Sequence, residues 1–125
     1  MNRIIRTPKA PVPKAAYSQA VVSGGFVFVS GQVAIHPETN EIEHGTLQSE
    51  TERIFGNIQT ILAEAGCGMK DVVRVGVYLA DLKDFAEMNK IYAKYFPENS
   101  PARTTIAAGL LGVKIEIDCI AKLPD

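Results

Sequence analysis

The chain has no tryptophan, only two cysteines and no excess of either charge. Its 13 Lys and Arg residues nearly balance 14 Asp and Glu residues, so composition gives no electrostatic footprint for nucleic acid. No apolar run approaches the roughly 20 residues of a membrane-spanning helix. Residues 1–6 also lack the long apolar stretch of a signal peptide. We therefore expect neither a nucleic-acid-binding protein nor a membrane protein.

The side chains that commonly hold metals are few and scattered. Cys67 and Cys119 form neither a CxxC pair nor a zinc-binding pattern. His36 and His44 lie in a loop-like stretch without a nearby third ligand, which is typical of surface histidines. Two lone thiols without an export signal favour the reducing cytoplasm as the location.

What the sequence does contain is enough hydrophobic residues for a domain. The 125 residues, 46% of them hydrophobic, can bury roughly two-thirds of the surface that the unfolded chain exposes. No linker, internal repeat or low-complexity segment divides them. We therefore expect a single domain over residues 1–125.

Hydrophobic periodicity predicts an α+β fold. Gly24-Gly25 is expected to join two strands in a hairpin, and the segment from Gly109 to Gly112 to join the last two strands in another. Two helices can cover only one face of such a sheet. The predicted strands span residues 4–7, 19–23, 26–30, 72–79, 103–108 and 113–122, and the predicted helices span 47–65 and 85–96.

The ends of both helices carry recognisable signals. Ser49 and Glu52 are expected to form a capping box for the first helix, and Gly66 to end it in the left-handed conformation. Asp84 is the expected cap of the second helix. The predicted buried stripe of that helix comprises Phe85, Met88, Tyr92, Tyr95 and Phe96.

The sheet face away from the helices is predicted to be half polar. It would carry Arg74, Tyr78, Glu116 and Asp118 among apolar residues. Such a face is either solvated, as antiparallel sheets often are, or a subunit interface that encloses a polar site. The pattern alone favours neither interpretation.

The last two strands could bring charged residues together. If a hairpin turns about residues 110–111, Arg103 lies opposite Asp118, and Thr105 lies opposite Glu116, all on the face away from the helices. This is either a cross-strand ion pair or a site in which the arginine fork binds a carboxylate. In such a site Glu116 could orient or deprotonate water. The second interpretation predicts a pocket for a small carboxylic acid that reacts with water.

The remaining candidates are weaker on pattern alone. Ser30-Gly31 could bring a backbone N–H against a ligand or form a plain bulge. Tyr17, after the proline-rich loop, could cover a pocket or simply pack, and Asn89 could contact a ligand or be solvated. Neither Ser30 nor Thr105 has a neighbouring His–Asp arrangement, so a serine-type nucleophile is poorly supported. No phosphate loop or dinucleotide fingerprint is present.

Several short segments, each weak alone, stand in a characteristic order. They are AAYSQA at 15–20, VSGQ at 29–32, ADLKDF at 80–85 with Asn89 and Tyr92, PAR at 101–103, and IEIDCIA at 115–121. In this order and spacing they resemble the RidA family, the reactive intermediate/imine deaminases, over nearly the whole chain.

The resemblance implies a chorismate-mutase-like fold with a six-stranded, mostly antiparallel sheet, two helices on one face, and a homotrimer with clefts between subunits. It implies hydrolysis of reactive 2-imino acids and enamines, such as 2-iminopropanoate and 2-iminobutanoate, to 2-keto acids and ammonia, without a metal or an organic cofactor. By position, Arg103 matches the residue that binds the substrate carboxylate, and Glu116 matches the one associated with the attacking water. The matching pocket positions are Tyr17, Ser30, Gly31, Asn89 and Thr105.

Three departures from the family pattern bear on substrate preference. Residues 15–16 are Ala-Ala where the family usually has Gly-Pro before Tyr17, and Thr105 replaces a common Cys. The segment before Glu116 is shorter than usual and lacks the family's Leu-Pro-Lys turn. A non-catalytic trimer that binds small carboxylates, RNA cleavage, and a chaperone role stand as alternative functions.

Overall fold

The computed structural model describes residues 2–125 and contains one six-stranded sheet and two α-helices. Short 3₁₀ turns at Met69–Asp71 and Leu82–Asp84 lead into a strand and a helix. The elements in chain order are β1 (Arg3–Ile5), β2 (Ala20–Ser23), β3 (Phe26–Gln32), α1 (Leu47–Glu64), β4 (Val72–Leu79), α2 (Phe85–Tyr95), β5 (Ala102–Ala107) and β6 (Ile115–Lys122). The predicted α+β class and the number of elements are confirmed.

The strands lie in the order β1-β2-β3-β6-β4-β5. Every neighbouring pair is antiparallel except β4 and β5, which are parallel because α2 carries the chain back across the sheet. The hairpin predicted between the last two strands is therefore wrong. β4 lies between them and bonds to both, and the bonds continue past its end from Ala108 to Leu79 and from Ala80 to Lys114.

Both helices pack on one face of the sheet, as the pattern predicts. β6 shows why, because Ile115, Ile117, Cys119 and Ala121 are all buried in this core while the residues between them are at least partly exposed. β4 departs from its predicted alternation. A bulge shifts the register between Val72 and Arg74, so that Val72 is buried and Val73 is 44% exposed.

The helix signals are partly confirmed. Gly66 follows α1 with φ +87°, the predicted left-handed conformation. The capping box lies one turn earlier than predicted, because Thr46 Oγ1 accepts from the N–H of Ser49 and Ser49 Oγ accepts from the N–H of Thr46, both at 3.0 Å.

The start of α2 also differs from expectation. Asp84 makes no capping hydrogen bond from its side chain; instead Asp81 Oδ1 accepts from the N–H of Lys83 at 2.9 Å and caps the preceding 3₁₀ turn. Met88 and Tyr92 belong to the buried stripe, but Phe85 is 42% exposed at the first turn of the helix. This exposed ring becomes part of the site described below.

Candidate functional site

The predicted site residues lie on two opposite faces of the sheet. Arg103 lies beside Val75 and Thr105 beside Val77, and both of these valines are buried on the helix face. Glu116 and Asp118 are on the other, open face, because their neighbours on β6 fill the core. The predicted convergence of all four on one face is therefore wrong, and the reason is the intervening strand β4.

The arginine group consists of Asn89, Tyr92, Arg103 and Thr105. Arg103 Nη1 donates to Asn89 Oδ1 at 2.8 Å. Its guanidinium carbon lies 4.6 Å from the centroid of the Tyr92 ring and 5.6 Å from that of Phe85, within the range of a cation–π contact. The aromatic rings and the amide thus fix the arginine side chain in one direction.

Helix α2 assembles this group through its periodicity. Phe85, Asn89 and Tyr92 follow one another at intervals of four and three residues, so they share one face of the helix. Phe85 and Tyr92 were predicted as core residues only, and their contact with Arg103 was missed. The same spacing could have revealed it, because it places the predicted ligand residue Asn89 between the two rings.

The space beside Arg103 is open, and two buried hydroxyls of the arginine group lack a hydrogen-bond partner in the described residues. An open cavity of about 420 Å³ is bordered by Asn89, Tyr92 and Arg103 among others. Within residues 2–125, Arg103 forms no salt bridge, so the predicted alternative of an ion pair with Asp118 is wrong. The hydroxyls of Thr105 and Tyr92 are buried without a partner in the described chain. Burial raises the pKa of Tyr92, and Arg103 opposes that rise.

The carboxylate group consists of Tyr17, Ser30, Gly31 and Glu116. Ser30 connects β3 to the segment that follows Tyr17. Its Oγ donates to the carbonyl of Ser18 at 2.6 Å, and its N–H donates to the carbonyl of Gln19 at 3.0 Å. These bonds place the loop that carries Tyr17 against β3. The Tyr17 side chain is half exposed.

A glycine brings β3 close to Glu116. A Cβ added at Gly31 would overlap the Glu116 carboxylate, so a larger residue at this position would displace that carboxylate from its place against β3. The β3–β6 register shifts between Val29 and Gln32, which confirms a bulge at Ser30-Gly31. Burial raises the pKa of Glu116, and the nearby charge of Asp118 raises it further.

The rest of the open face has its own polar pair. Tyr78 Oη donates to Asp118 Oδ2 at 2.9 Å, and Gly76 leaves the space for this contact. The same sheet face also carries exposed apolar side chains, including Ile4, Phe28 and Ile106, each more than 40% exposed. A sheet face of this composition is typical of an interface between protein chains.

The two groups cannot serve one small molecule within a single chain. Arg103 is in register with Val75 and, across β4, with Cys119, which is three residues from Glu116 on β6. Two strand spacings and three residues of rise separate the Cα atoms of Arg103 and Glu116 by roughly 14 Å. Their side chains then point to opposite faces, so the gap between charged groups is wider still.

The other candidates for chemistry are occupied or buried. His36 Nε2 lies 3.4 Å from Glu43, and His44 Nδ1 lies 3.2 Å from the carbonyl of Gly112. Burial, with smaller contributions from Asp118 and Cys67, raises the pKa of the Cys119 thiol to about 12, so it does not supply a thiolate.

Residues 2–125 offer neither a metal site of clustered side chains nor a membrane-spanning helix. They contain no cluster of three or more His, Cys, Asp and Glu side chains that could hold a metal ion. None of the helices formed by these residues has the length and apolar character required to cross a bilayer.

Fold and site together define a small α+β protein that has, within residues 2–125, a guanidinium without a carboxylate partner in one group and a partly buried carboxyl in the other. The family model described as Endoribonuclease L-PSP matches residues 7–123. The chain therefore belongs to this family, which includes the RidA proteins.

Relatives of known name share nearly the full length of the chain. A RutC family protein of Pyrococcus abyssi is 49% identical over 122 residues, which are 96% of each chain. The Arabidopsis thaliana protein named Reactive Intermediate Deaminase A, chloroplastic, is 43% identical over 98% of this chain and 66% of its own.

Solved structures share the fold. RidA from the Antarctic bacterium Psychrobacter superposes with a TM-score of 0.91 at 38% identity, covering 97% of this chain and 99% of its own. E. coli TdcF with bound serine superposes with a TM-score of 0.90 at 33% identity, covering 98% and 99%. The RidA-type fold inferred from the sequence is thereby confirmed.

Proposed function

We propose that this protein hydrolyses reactive 2-imino acids and their enamine forms to 2-keto acids and ammonia. The observation that carries the proposal is the guanidinium of Arg103, which Asn89 and Tyr92 hold beside an open cavity and which no carboxylate of the described residues neutralises. A planar cation fixed in this way is suited to bind a carboxylate through two parallel hydrogen bonds. The substrates meant are small imino acids such as 2-iminopropanoate and 2-iminobutanoate.

Glu116 is the proposed partner of the attacking water. Its carboxyl lies against the backbone of Gly31, and its raised pKa makes it a better proton acceptor than an ordinary glutamate near neutral pH. Water adds to the electrophilic imine carbon and gives one proton to Glu116. With a protonated imine this gives an adduct that carries one hydroxyl and one amino group. Glu116 returns its proton to the amino nitrogen, the carbon–nitrogen bond breaks with its electron pair leaving on ammonia, and the hydroxyl gives its proton to Glu116 as the carbonyl forms. The water supplies the new oxygen, so no redox partner is required.

The complete site is proposed to lie between two copies of the chain. Arg103, Asn89 and Thr105 would come from one copy, and Tyr17, Ser30, Gly31 and Glu116 from its neighbour. The separation of the two groups within one chain and the exposed apolar residues of the open sheet face support this arrangement. A homotrimer, the assembly that the family resemblance implies, would repeat the shared site three times.

Relatives support the substrate class without fixing it. One relative is named a reactive intermediate deaminase, and TdcF was solved with serine, a small molecule with a carboxylate and an amine on the same carbon. We include in the proposal that the chain acts as one domain in the cytoplasm and without a cofactor. The free thiols of Cys67 and Cys119 are compatible with a reducing compartment.

The proposal is tested by following imine decay. An amino-acid oxidase generates 2-iminopropanoate from alanine, and semicarbazide traps what remains. The wild-type protein should hydrolyse the imine well beyond the rate in buffer, so that less imine remains for semicarbazide to trap. If imine decay is unchanged while pyruvate still binds, the protein is a carboxylate-binding module and not a deaminase.

A further inference from the structure

A second cavity lies on the Glu116 side of the sheet and is lined mainly by apolar side chains. Its volume is about 280 Å³, and its lining includes Val33, Ile42, Leu110, Leu111 and Val113, with Glu116 as the one ionisable side chain. The volume is near the lower end of the range of ligand pockets. It is thus suited to part of a small molecule, not to a large one.

The loop over this cavity is anchored at both ends. Before it, the N–H of Ala108 donates to the carbonyl of Leu79 at 2.9 Å. After it, the N–H of Lys114 donates to Glu50 Oε1 at 2.9 Å. Gly112 adopts φ +83°, which a residue with a side chain rarely adopts. The backbone geometry therefore fixes where the two leucines of the loop stand.

Leu111 lines the cavity and yet is 97% exposed. A leucine with this exposure contributes almost no hydrophobic stabilisation to the fold, because its apolar surface remains in water. It would gain only if a ligand or another chain covered it. The cavity wall beside it is apolar, so an apolar group placed there would be buried by both surfaces.

We propose that this cavity binds the side chain of the imino acid, and that the protein prefers 2-imino acids with branched or extended apolar side chains, such as the imine of leucine. The inference rests on the proposed function. In a 2-imino acid the side chain is bonded to the carbon that water attacks. If Glu116 holds that water and Arg103 of a neighbouring copy holds the carboxylate, the side chain must leave the reacting carbon close to Glu116. Glu116 is one of the residues that line the cavity.

The test compares two imines made by the same oxidase, one from alanine and one from leucine. Wild-type kcat/KM should favour the leucine imine by at least about 10-fold, because even one methylene in an apolar pocket gives roughly 10–200-fold discrimination. Leu111→Ala and Ile42→Ala should each lower the ratio of the two values several-fold. Leu82→Ala provides the matched control, because Leu82 is 53% exposed and lies outside the cavity. It should leave the ratio unchanged.

Three results would overturn the inference. They are equal kcat/KM for the two imines in the wild type, an equal loss for both imines in Leu111→Ala, or a change of oligomeric state in that variant, which would make Leu111 a contact between copies. Calorimetric titration with 4-methyl-2-oxopentanoate and with pyruvate separates this inference from the proposed function. If no imine is hydrolysed but the longer acid binds more tightly and Leu111→Ala removes the difference, the proposed function fails and the apolar cavity stands.

Discussion

The arginine group and the carboxylate group carry opposite charges and are built in different ways. Arg103 remains accessible and is held by side chains, with an amide on one side and aromatic rings on the other. Glu116 lies against the backbone of Gly31, and burial together with the nearby charge of Asp118 raises its pKa. A cation that must capture an anion from water benefits from access, whereas a base gains strength from desolvation. Under the proposed function each group serves one task, and the site is complete only when both groups meet.

The largest expected effect is the loss of the base. Glu116→Gln keeps the shape but cannot accept a proton, so kcat/KM should fall on the order of 10²–10⁴-fold. In the wild type, kcat/KM should decline as the pH drops through the raised pKa of Glu116, at a higher pH than for an ordinary glutamate. Profiles of kcat/KM against pH for the wild type and for Glu116→Gln measure both the loss in the variant and the decline with pH. A profile that is flat on its acid side would remove Glu116 from the role of base.

The same substitution should have the opposite effect on stability. Because burial raises the pKa of Glu116 in the folded state, folding takes up a proton between the unfolded and folded pKa values. The free energy of unfolding therefore decreases as the pH rises through that window. Glu116→Gln removes this cost above the window, so thermal unfolding at neutral pH should shift slightly upward.

Removal of the cation is expected to have the next largest effect. Arg103→Ala should lower kcat/KM on the order of 10²–10³-fold, because the carboxylate of the substrate loses its charged hydrogen bonds and its fixed orientation. Arg103→Lys should recover only part of this, since an ammonium lacks the planar fork. Arg53→Ala, at a partly exposed arginine of α1 that pairs with Glu43, serves as the matched control. Full activity of Arg103→Ala would contradict the carboxylate-binding role.

A smaller effect, on stability, is expected from substitution of Glu50, which bonds to the backbone next to the carboxylate group. Glu50 is fully buried, and its Oε1 accepts from the N–H of Lys114, two residues before Glu116. Glu50→Ala should lower the free energy of unfolding by about 2–4 kcal/mol through a lost hydrogen bond and a cavity. Glu50→Gln keeps the acceptor and loses only the long contact of Oε2 with Lys114 Nζ, at 3.8 Å, so it should cost less than about 1 kcal/mol. Urea denaturation measures both, with exposed Glu52→Ala as the control; equal costs for Ala and Gln would show that the hydrogen bond is unimportant.

The smallest effect, on KM, is expected from substitution of Asn89, which accepts a hydrogen bond from Arg103. Asn89→Ala removes the acceptor at 2.8 Å, but the rings of Tyr92 and Phe85 still hold the guanidinium. We expect KM for 2-iminopropanoate to rise by less than about tenfold, which is below the roughly 1.5–3 kcal/mol of a hydrogen bond to a charged group because the rings remain in place. Lys90→Ala, at the next and exposed position of α2, should leave KM unchanged. A fall in kcat with constant KM would instead assign Asn89 a part in the chemical step.

The two groups also differ in how much of their structure could be predicted from the sequence. Local periodicity predicted both helices and the inward face of β6, because alternation and helical spacing are properties of neighbouring residues. The pairing of β4 with β5 depends on where α2 returns the chain, which no local pattern records. That single error placed Arg103 and Glu116 on one face. Glu50, a buried carboxyl in the first turns of α1, was missed because its partner lies 64 residues away.

The central claim is that one site is completed by two chains, and mixing two inactive variants tests it most directly. Arg103→Ala retains the carboxylate group and Glu116→Gln retains the arginine group, so a mixed oligomer contains some sites with both groups intact. At equal proportions, the two required halves meet by chance in one half times one half, or about a quarter, of shared sites. Co-expressed variants should therefore recover about a quarter of wild-type kcat/KM for 2-iminopropanoate. Mixed oligomers that form but remain as inactive as either variant alone would contradict the shared site.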